Sequence, residues 1–310
     1  MQLRLLQLVV FIMVFHMLTS MSSRANEHVV LLASGENAQY RAAISGFQEA
    51  LAEQRRPHRT VPRFLGEADG LPAEELATLR SEQPKVVTAL GARAARVLSR
   101  EFAEVPLAVC MVMDPRELED RKPVAMVALE FPVRVQLDWL RRVLPGKRSV
   151  GVLYSGARNT ERIDEARRYA KAHGLEIVAR EIGAPGEIPG ALRGMARRVD
   201  VLWGLSDPLV LSPQTAKSFL LFSHQNRIPL VGLSAQWVRA GALYALDRDY
   251  EDLGRQCGEA VVRVLEGDTS TAGDMVSPRV VEYSLNLRAA KRMRVDLPDA
   301  LARDAADLIE

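Results

Sequence analysis

The sequence predicts an α/β protein made of two similar lobes, each a parallel sheet with helices on both faces. Three observations carry this. From His28 onward, apolar runs of strand length alternate with segments of helical pattern. The opening LLASGEN at residues 31–37 returns as VLYSGARN at 152–159, and VPLAV pairs with IPLVG at a similar offset of about 120 residues. A chain of 310 residues, 48% hydrophobic, has enough apolar side chains for one large or two medium domains.

Five strands are expected in the first half, in HVVLLAS, HRTVPRFLG, KVVTALG, VPLAVCMVM and VAMVALEF. The second half repeats the order with SVGVLYS, LEIVAREI, VDVLWGL, IPLVGLS and ALYALD. Between the first two strands, Tyr40, Ala43, Ile44, Phe47 and Leu51 fall at helical spacing, with Asn37 as cap. The counterpart NTERIDEARRYAKAHG is expected to run from Asn159 or Thr160 to a stop at Gly174.

Composition narrows the function. The formal charge is only +2 and the basic residues are dispersed, so the face needed to hold nucleic-acid phosphates is missing. At the N-terminus, Arg4 precedes an apolar run from Leu5 to Leu18, and Ser23 and Ala25 stand at small-residue positions. That pattern predicts a secretory signal peptide over residues 1–25, cleaved after Ala25, and hence a periplasmic protein. Two cysteines are present, Cys110 in an apolar strand and Cys257 in a helix-patterned segment, and the sequence reading prefers two buried free thiols.

The repeated Ser-Gly turn suggests the chemistry. In open parallel sheets, ligands bind beyond the carboxyl ends of the strands, where helix N-termini offer unpaired N–H groups. Ser34, Asn37, Ser155 and Asn159 are expected to line two such edges and to grip a small anion or an amino-acid carboxylate. Asp207 in SDP either caps a helix or pairs with a ligand ammonium, and Ser206 can serve both purposes. Glu36 is a second counter-charge candidate, and Gly91 and Ala92 are expected to offer backbone donors with room for close approach. For an aromatic solute, Trp237 and Tyr154 stand near strand ends, whereas Trp203 reads as a core residue.

The segments VLPGKRSVGVLYSGARN, VDVLWGLSDPLVLS, GALYALDRDYEDLGRQ and NLRAA resemble the solute-binding components of ABC transporters, in the branch of tryptophan and other aromatic amino-acid binders. The resemblance runs from about residue 30 to the C-terminus, more strongly after about residue 140. It implies a hinged pair of Rossmann-like lobes of the type I periplasmic-binding fold, with no catalytic activity, cofactor or metal. It also implies a monomer that hands its solute to an ABC permease, with a sensory receptor serving a membrane kinase as the alternative. Three crossings, near Pro132, Asp247 and Val280, divide the chain into lobe I (26–132 with 247–279) and lobe II (133–246 with 280–310). The resemblance adds Asp114 and Asp247 to the ligand-binding candidates. It also marks a departure, since VALEFP, with Glu130, replaces a small Gly-Ser-type ligand loop. No nucleophile elbow, phosphate loop or His-rich metal spacing occurs. A cofactor-independent racemase, with one cysteine per half, is the remote enzymatic alternative. It needs thiols on strand-end loops, which Cys110 and Cys257 do not occupy.

Overall fold

The computed structural model describes residues 28–54, 59–66, 70–113, 118, 121–268, 270 and 273–310. The expected cleavage point after Ala25 and the candidate Asp114 lie outside the described residues.

The first half reads β1 (His28–Ala33), α1 (Ala38–Ala52), β2 (Arg59–Phe64), α2 (Ala73–Ser81), β3 (Val86–Leu90), α3 (Ala92–Glu101), β4 (Leu107–Val112) and β5 (Ala125–Ala128). The second half continues with α4 (Val133–Val143), β6 (Ser149–Tyr154), α5 (Gly156–Ala172), β7 (Glu176–Glu181), α6 (Ile188–Met195), β8 (Val201–Trp203), α7 (Pro213–Asn226), β9 (Leu230–Gly232), α8 (Ala235–Ala240) and β10 (Tyr244–Arg248). After it come α9 (Tyr250–Leu265), β11 (Met275–Val276), β12 (Val281–Asn286), α10 (Leu287–Met293), α11 (Asp299–Arg303) and β13 (Asp307–Ile309). Each of the ten expected strands is present, whereas β11, β12 and β13 were not anticipated.

Two sheets result, ordered β11-β5-β4-β3-β1-β2 and β13-β12-β10-β9-β8-β6-β7. The pairs β1–β2, β1–β3, β3–β4, β6–β7, β6–β8, β8–β9 and β9–β10 are parallel, and β12 runs antiparallel to β10. Strands covered on both faces must be apolar throughout, and β3 and β4 are buried along their whole lengths. In the second sheet the alternation is explicit. Val150, Val152, Val201 and Trp203 face a core with Leu137 and Leu140 of α4 and Ile163 of α5. Leu153 and Leu202 face the opposite one, with Leu192 of α6 and Phe219 and Phe222 of α7.

The chain separates into two compact units, one ending at Val127 and taking back Gly254–Met275, the other comprising Ala128–Leu253 and Val276–Glu310. Part of α9 therefore belongs to the first unit, and three features fasten it there. A Cβ at Gly254 would collide with the Ala43 carbonyl, and one at Gly258 would lie 2.6 Å from the Ala50 side chain, so the two glycines let α9 approach α1 closely. Arg255 bonds Glu49 at 2.6 Å and Glu53 at 2.8 Å. Cys257 is disulfide-bonded to Cys110 of β4, with Cα atoms 6.2 Å apart and a sequence separation of 147. This corrects the reading of two free thiols. The pairing depends on how α9, returned to the first unit, packs beside β4, which local pattern does not encode.

Two helix starts also differ in kind. Asn37 caps α1 as expected, its Oδ1 accepting from the N–H groups of Gln39 at 3.1 Å and Tyr40 at 3.2 Å. The second helix begins at Gly156, with Ser155 as cap residue, so Asn159 lies inside the first turns instead of capping them. Its end agrees with the expected stop, because Gly174 adopts φ +70° just beyond the last turn. The Ser-Gly echo therefore marks equivalent strand ends but not equivalent helix starts.

Candidate functional site

Strand order fixes where a ligand edge can form. In each sheet the order reverses next to its first strand, between β1 and β3 and between β6 and β8, and ligands of open parallel sheets bind beyond such reversals.

In the first unit, Ser34 follows β1 and Gly91 follows β3. The Ser34 N–H donates to the Leu90 carbonyl at 2.8 Å, and its hydroxyl accepts from the Ala94 N–H at 2.9 Å, which caps α3. Gly91 holds φ +92°, and a Cβ there would lie 2.6 Å from both the Ser34 and the Tyr40 hydroxyl oxygens. Glycine is thus required twice over, by backbone and by space. Ala92, the first residue of α3, is half-buried. Tyr40, named above only for its helical spacing, brings its hydroxyl beside Ser34 and Gly91, and its place in the first turn of α1 is the available signal. Glu36 is exposed and bonds Arg41 at 2.6 Å, so it is engaged by its own helix.

The second edge is organised by Asp207, which is 1% exposed. One carboxylate oxygen accepts from the Ser155 N–H at 2.6 Å and the Asn159 side-chain amide at 2.8 Å. The other accepts from the N–H groups of Leu209 at 3.0 Å and Val210 at 3.3 Å. A buried carboxylate needs such donors to replace water, and here the protein supplies all four. The expected helix cap is corrected: Asp207 closes a turn over residues 208–210, and the next helix starts only at Pro213 with Ser212 as its cap, while the carboxylate, buried and occupied, has no oxygen left without a donor. Asn159, 2% exposed, also accepts from Arg162 at 3.3 Å. Arg162 in turn pairs with Glu130 of the VALEFP segment. Ser206 is half-buried beside Asp207.

The aromatic candidates are placed in the core instead. Tyr154, 8% exposed, belongs to a hydrophobic cluster of the second unit, and Trp237 packs partly buried against another, its Cβ against Gly232. Trp203 is buried as expected, its indole N–H donating to Gln136 at 2.9 Å. Asp247 stands directly opposite Glu282 across the β10–β12 ladder and accepts from the Arg248 N–H at 2.9 Å. Burial, with Asp249 and Asp247 adding to it, raises the Glu282 pKa. Asn286 of the NLRAA block caps α10 through the Ala289 N–H at 2.8 Å and donates to the Val238 carbonyl at 2.8 Å.

Among the described residues no cluster of three or more His, Cys, Asp or Glu is placed to hold a metal, and both cysteines are in the disulfide. With both thiols in the disulfide, the racemase alternative lacks its acid–base pair.

Comparison with known proteins agrees with this architecture. Residues 29–309 match the family model described as ABC transporter substrate binding protein. A curated relative, the tyrosine-binding protein of Clostridioides difficile strain R20291, is 26% identical over 204 residues. That match covers 63% of this chain, and the chain spans only 58% of the relative's length. A ligand-free, open substrate-binding protein with adhesive properties from Clostridium difficile superimposes with a TM-score of 0.72 at 19% identity, covering 92% of this chain and 99% of that one. An ABC domain in complex with L-Trp from Streptococcus pneumonia gives 0.59 at 19% identity, covering 92% and 100%. The chain thus belongs to the ABC transporter substrate-binding protein family and has its two-lobed type I periplasmic-binding fold.

Proposed function

We propose that the protein is exported, acts as a monomer in the periplasm, and captures an α-amino acid with an aromatic side chain for delivery to an ABC permease. The two compact units are taken as the lobes, and capture as a population shift toward a form in which both touch the solute. The observation that carries the reading is the pair of strand-order reversals, each lined by a serine after the first strand, in a chain whose family binds substrates. The tyrosine-binding relative and the L-Trp-bound neighbour favour an aromatic amino acid. The Ser34 and Tyr40 hydroxyls and the Gly91 backbone are assigned to ligand contact in the first lobe, and Ser155 and Ser206 in the second. Asn159 and Asp207 are positioning residues that hold the second edge. The Cys110–Cys257 disulfide supports an oxidising compartment.

The test uses residues 26–310, stripped of bound solute by unfolding and refolding with the disulfide kept oxidised. Thermal midpoints are then measured against a panel of amino acids and organic acids. A true ligand at a hundredfold excess over its dissociation constant adds about 2.7 kcal/mol of stability. An upward shift with an aromatic amino acid is expected. A panel in which no amino acid moves the midpoint overturns the reading.

A further inference from the structure

Arg248, the last residue of β10, is placed unlike the other part-buried arginines. Arg63, Arg162 and Arg255 each hold a carboxylate within 3.2 Å, from Glu75, Glu130 and Glu49. Arg248 has the least exposed side chain of the four, 14%, yet the carboxylate oxygen paired with it, Oδ1 of Asp247, lies 4.0 Å from Nε, beyond hydrogen-bond reach. That oxygen accepts from the Arg248 backbone N–H instead. Strand alternation also sends the two side chains to opposite faces. Arg248 shares its face with Tyr244 and Leu246, which belong to one apolar cluster with Phe131.

The guanidinium carbon lies over two rings, 5.6 Å from the Phe131 centroid and 5.9 Å from that of Tyr250. Rings favour the charge and keep water away, but they leave the N–H groups without oxygen acceptors. Among the described residues, the side chain makes one hydrogen bond, from Nη1 to the Tyr250 hydroxyl, and at 3.5 Å it is long. Nη2 has no partner there, and Nε is buried without one. A guanidinium shielded from water with its donors unserved costs stability, and an arriving anion offsets that cost.

The place of Arg248 points to the solute. Strands β6, β8, β9 and β10 run parallel, and Arg248 stands at the carboxyl end of β10, the end of the sheet at which Ser155 follows β6 and Asp207 follows β8. Phe131 adjoins Glu130, which pairs with Arg162, and Arg162 donates to Asn159 beside Asp207. The VALEFP segment therefore connects Arg248 to the second edge within one compact unit.

We propose that Arg248, flanked by Phe131 and Tyr250, binds the carboxylate of the solute. The carboxylate takes the N–H groups of Nη2 in charge-assisted hydrogen bonds, while the rings hold the guanidinium in place. The inference rests on the solute-capture reading above and names the group that receives the acidic end of an α-amino acid.

The test is calorimetric titration of wild type, Arg248→Gln and Arg248→Lys, oxidised and stripped of solute. The ligands are L-tyrosine and L-tryptophan, their amides L-tyrosinamide and L-tryptophanamide, and the ammonium-free acids 3-(4-hydroxyphenyl)propionate and indole-3-propionate. Wild type is expected to bind an amino acid at least tenfold more tightly than its amide, and Arg248→Gln to bring the two within threefold by weakening the acid. Should Arg248→Gln fail to fold, Arg248→Lys reads the same ratio and is expected to narrow it at least threefold; an unchanged ratio overturns the proposal. If Arg248 only packs between the rings and balances Asp247 and Asp249, Arg248→Gln lowers the thermal midpoint and changes acid and amide by one common factor, and the proposal falls. Amino-acid binding that Arg248→Gln leaves unmoved removes this proposal alone. Binding of the propionates but not of the amino acids, lost at least tenfold in Arg248→Gln, keeps this proposal and removes the amino-acid reading. A wild type that binds none of the carboxylates removes both.

Discussion

Asp207 and Gly91 do comparable work at the two strand edges by different means. Asp207 joins the end of β6 to the loop after β8 through four hydrogen bonds, so Asp207→Ala would strand several buried donors. A loss of about 2–4 kcal/mol is expected in denaturant unfolding, with Asp207→Asn losing less because one oxygen remains. Gly91→Ala forces a side chain into positive φ and against two hydroxyls. It should cost about 1–3 kcal/mol, and if the Ser34 and Tyr40 hydroxyls contact ligand it should also weaken binding in titration calorimetry. Asp207 and Ser34 were both legible as strand-end candidates from their place after apolar runs. Tyr40 and Arg248 were not, because each comes to its edge through a partner distant in sequence, Gly91 for one and Phe131 for the other.

At the scale of elements, the β10–β12 ladder carries a titrating strain. Asp247 and Glu282 are directly opposite, and like charges so placed oppose pairing. Burial first, then Asp249 and Asp247, raises the Glu282 pKa above its ordinary value of 4.5. A carboxyl raised on folding binds its proton more tightly in the folded state, so its ionisation costs stability as pH rises from 4.5 through the folded-state pKa. Glu282→Gln should therefore raise the thermal midpoint at pH 7 and make no difference well below pH 4.5; an equal shift at both pH values would refute this account. Helix α1 follows a simpler rule. Its apolar spacing puts Phe47 in the core at 0% exposure, and Phe47→Ala should cost about 3–5 kcal/mol in chemical unfolding.

For the whole molecule, the return of α9 to the first unit follows the expected crossings, and the unexpected element is the disulfide that ties it there. A disulfide spanning 147 residues restricts the unfolded chain strongly, with loop-closure entropy alone suggesting about 5 kcal/mol. The two units have separate apolar cores, and both cysteines lie in the first. Reduction, or a Cys110→Ala/Cys257→Ala pair, should therefore lower the calorimetric transition of the first unit and leave that of the second in place. A single transition that moves as one would show that the units unfold together.

The sequence by itself determined the alternation of strands and helices, the duplicated plan, the Asn37 cap and the strand ends that carry Ser34 and Ser155. Each follows from local apolar periodicity and turn chemistry, which a chain encodes within a few residues. Tertiary structure decided the Cys110–Cys257 pairing, the start of α5 at Gly156, the full engagement of Asp207, and the approach of Phe131 to Arg248. These depend on which strands become neighbours and on which face a returning helix packs. The physical reason is that such contacts join residues tens to hundreds of positions apart, and their partners are selected by packing the completed sheet.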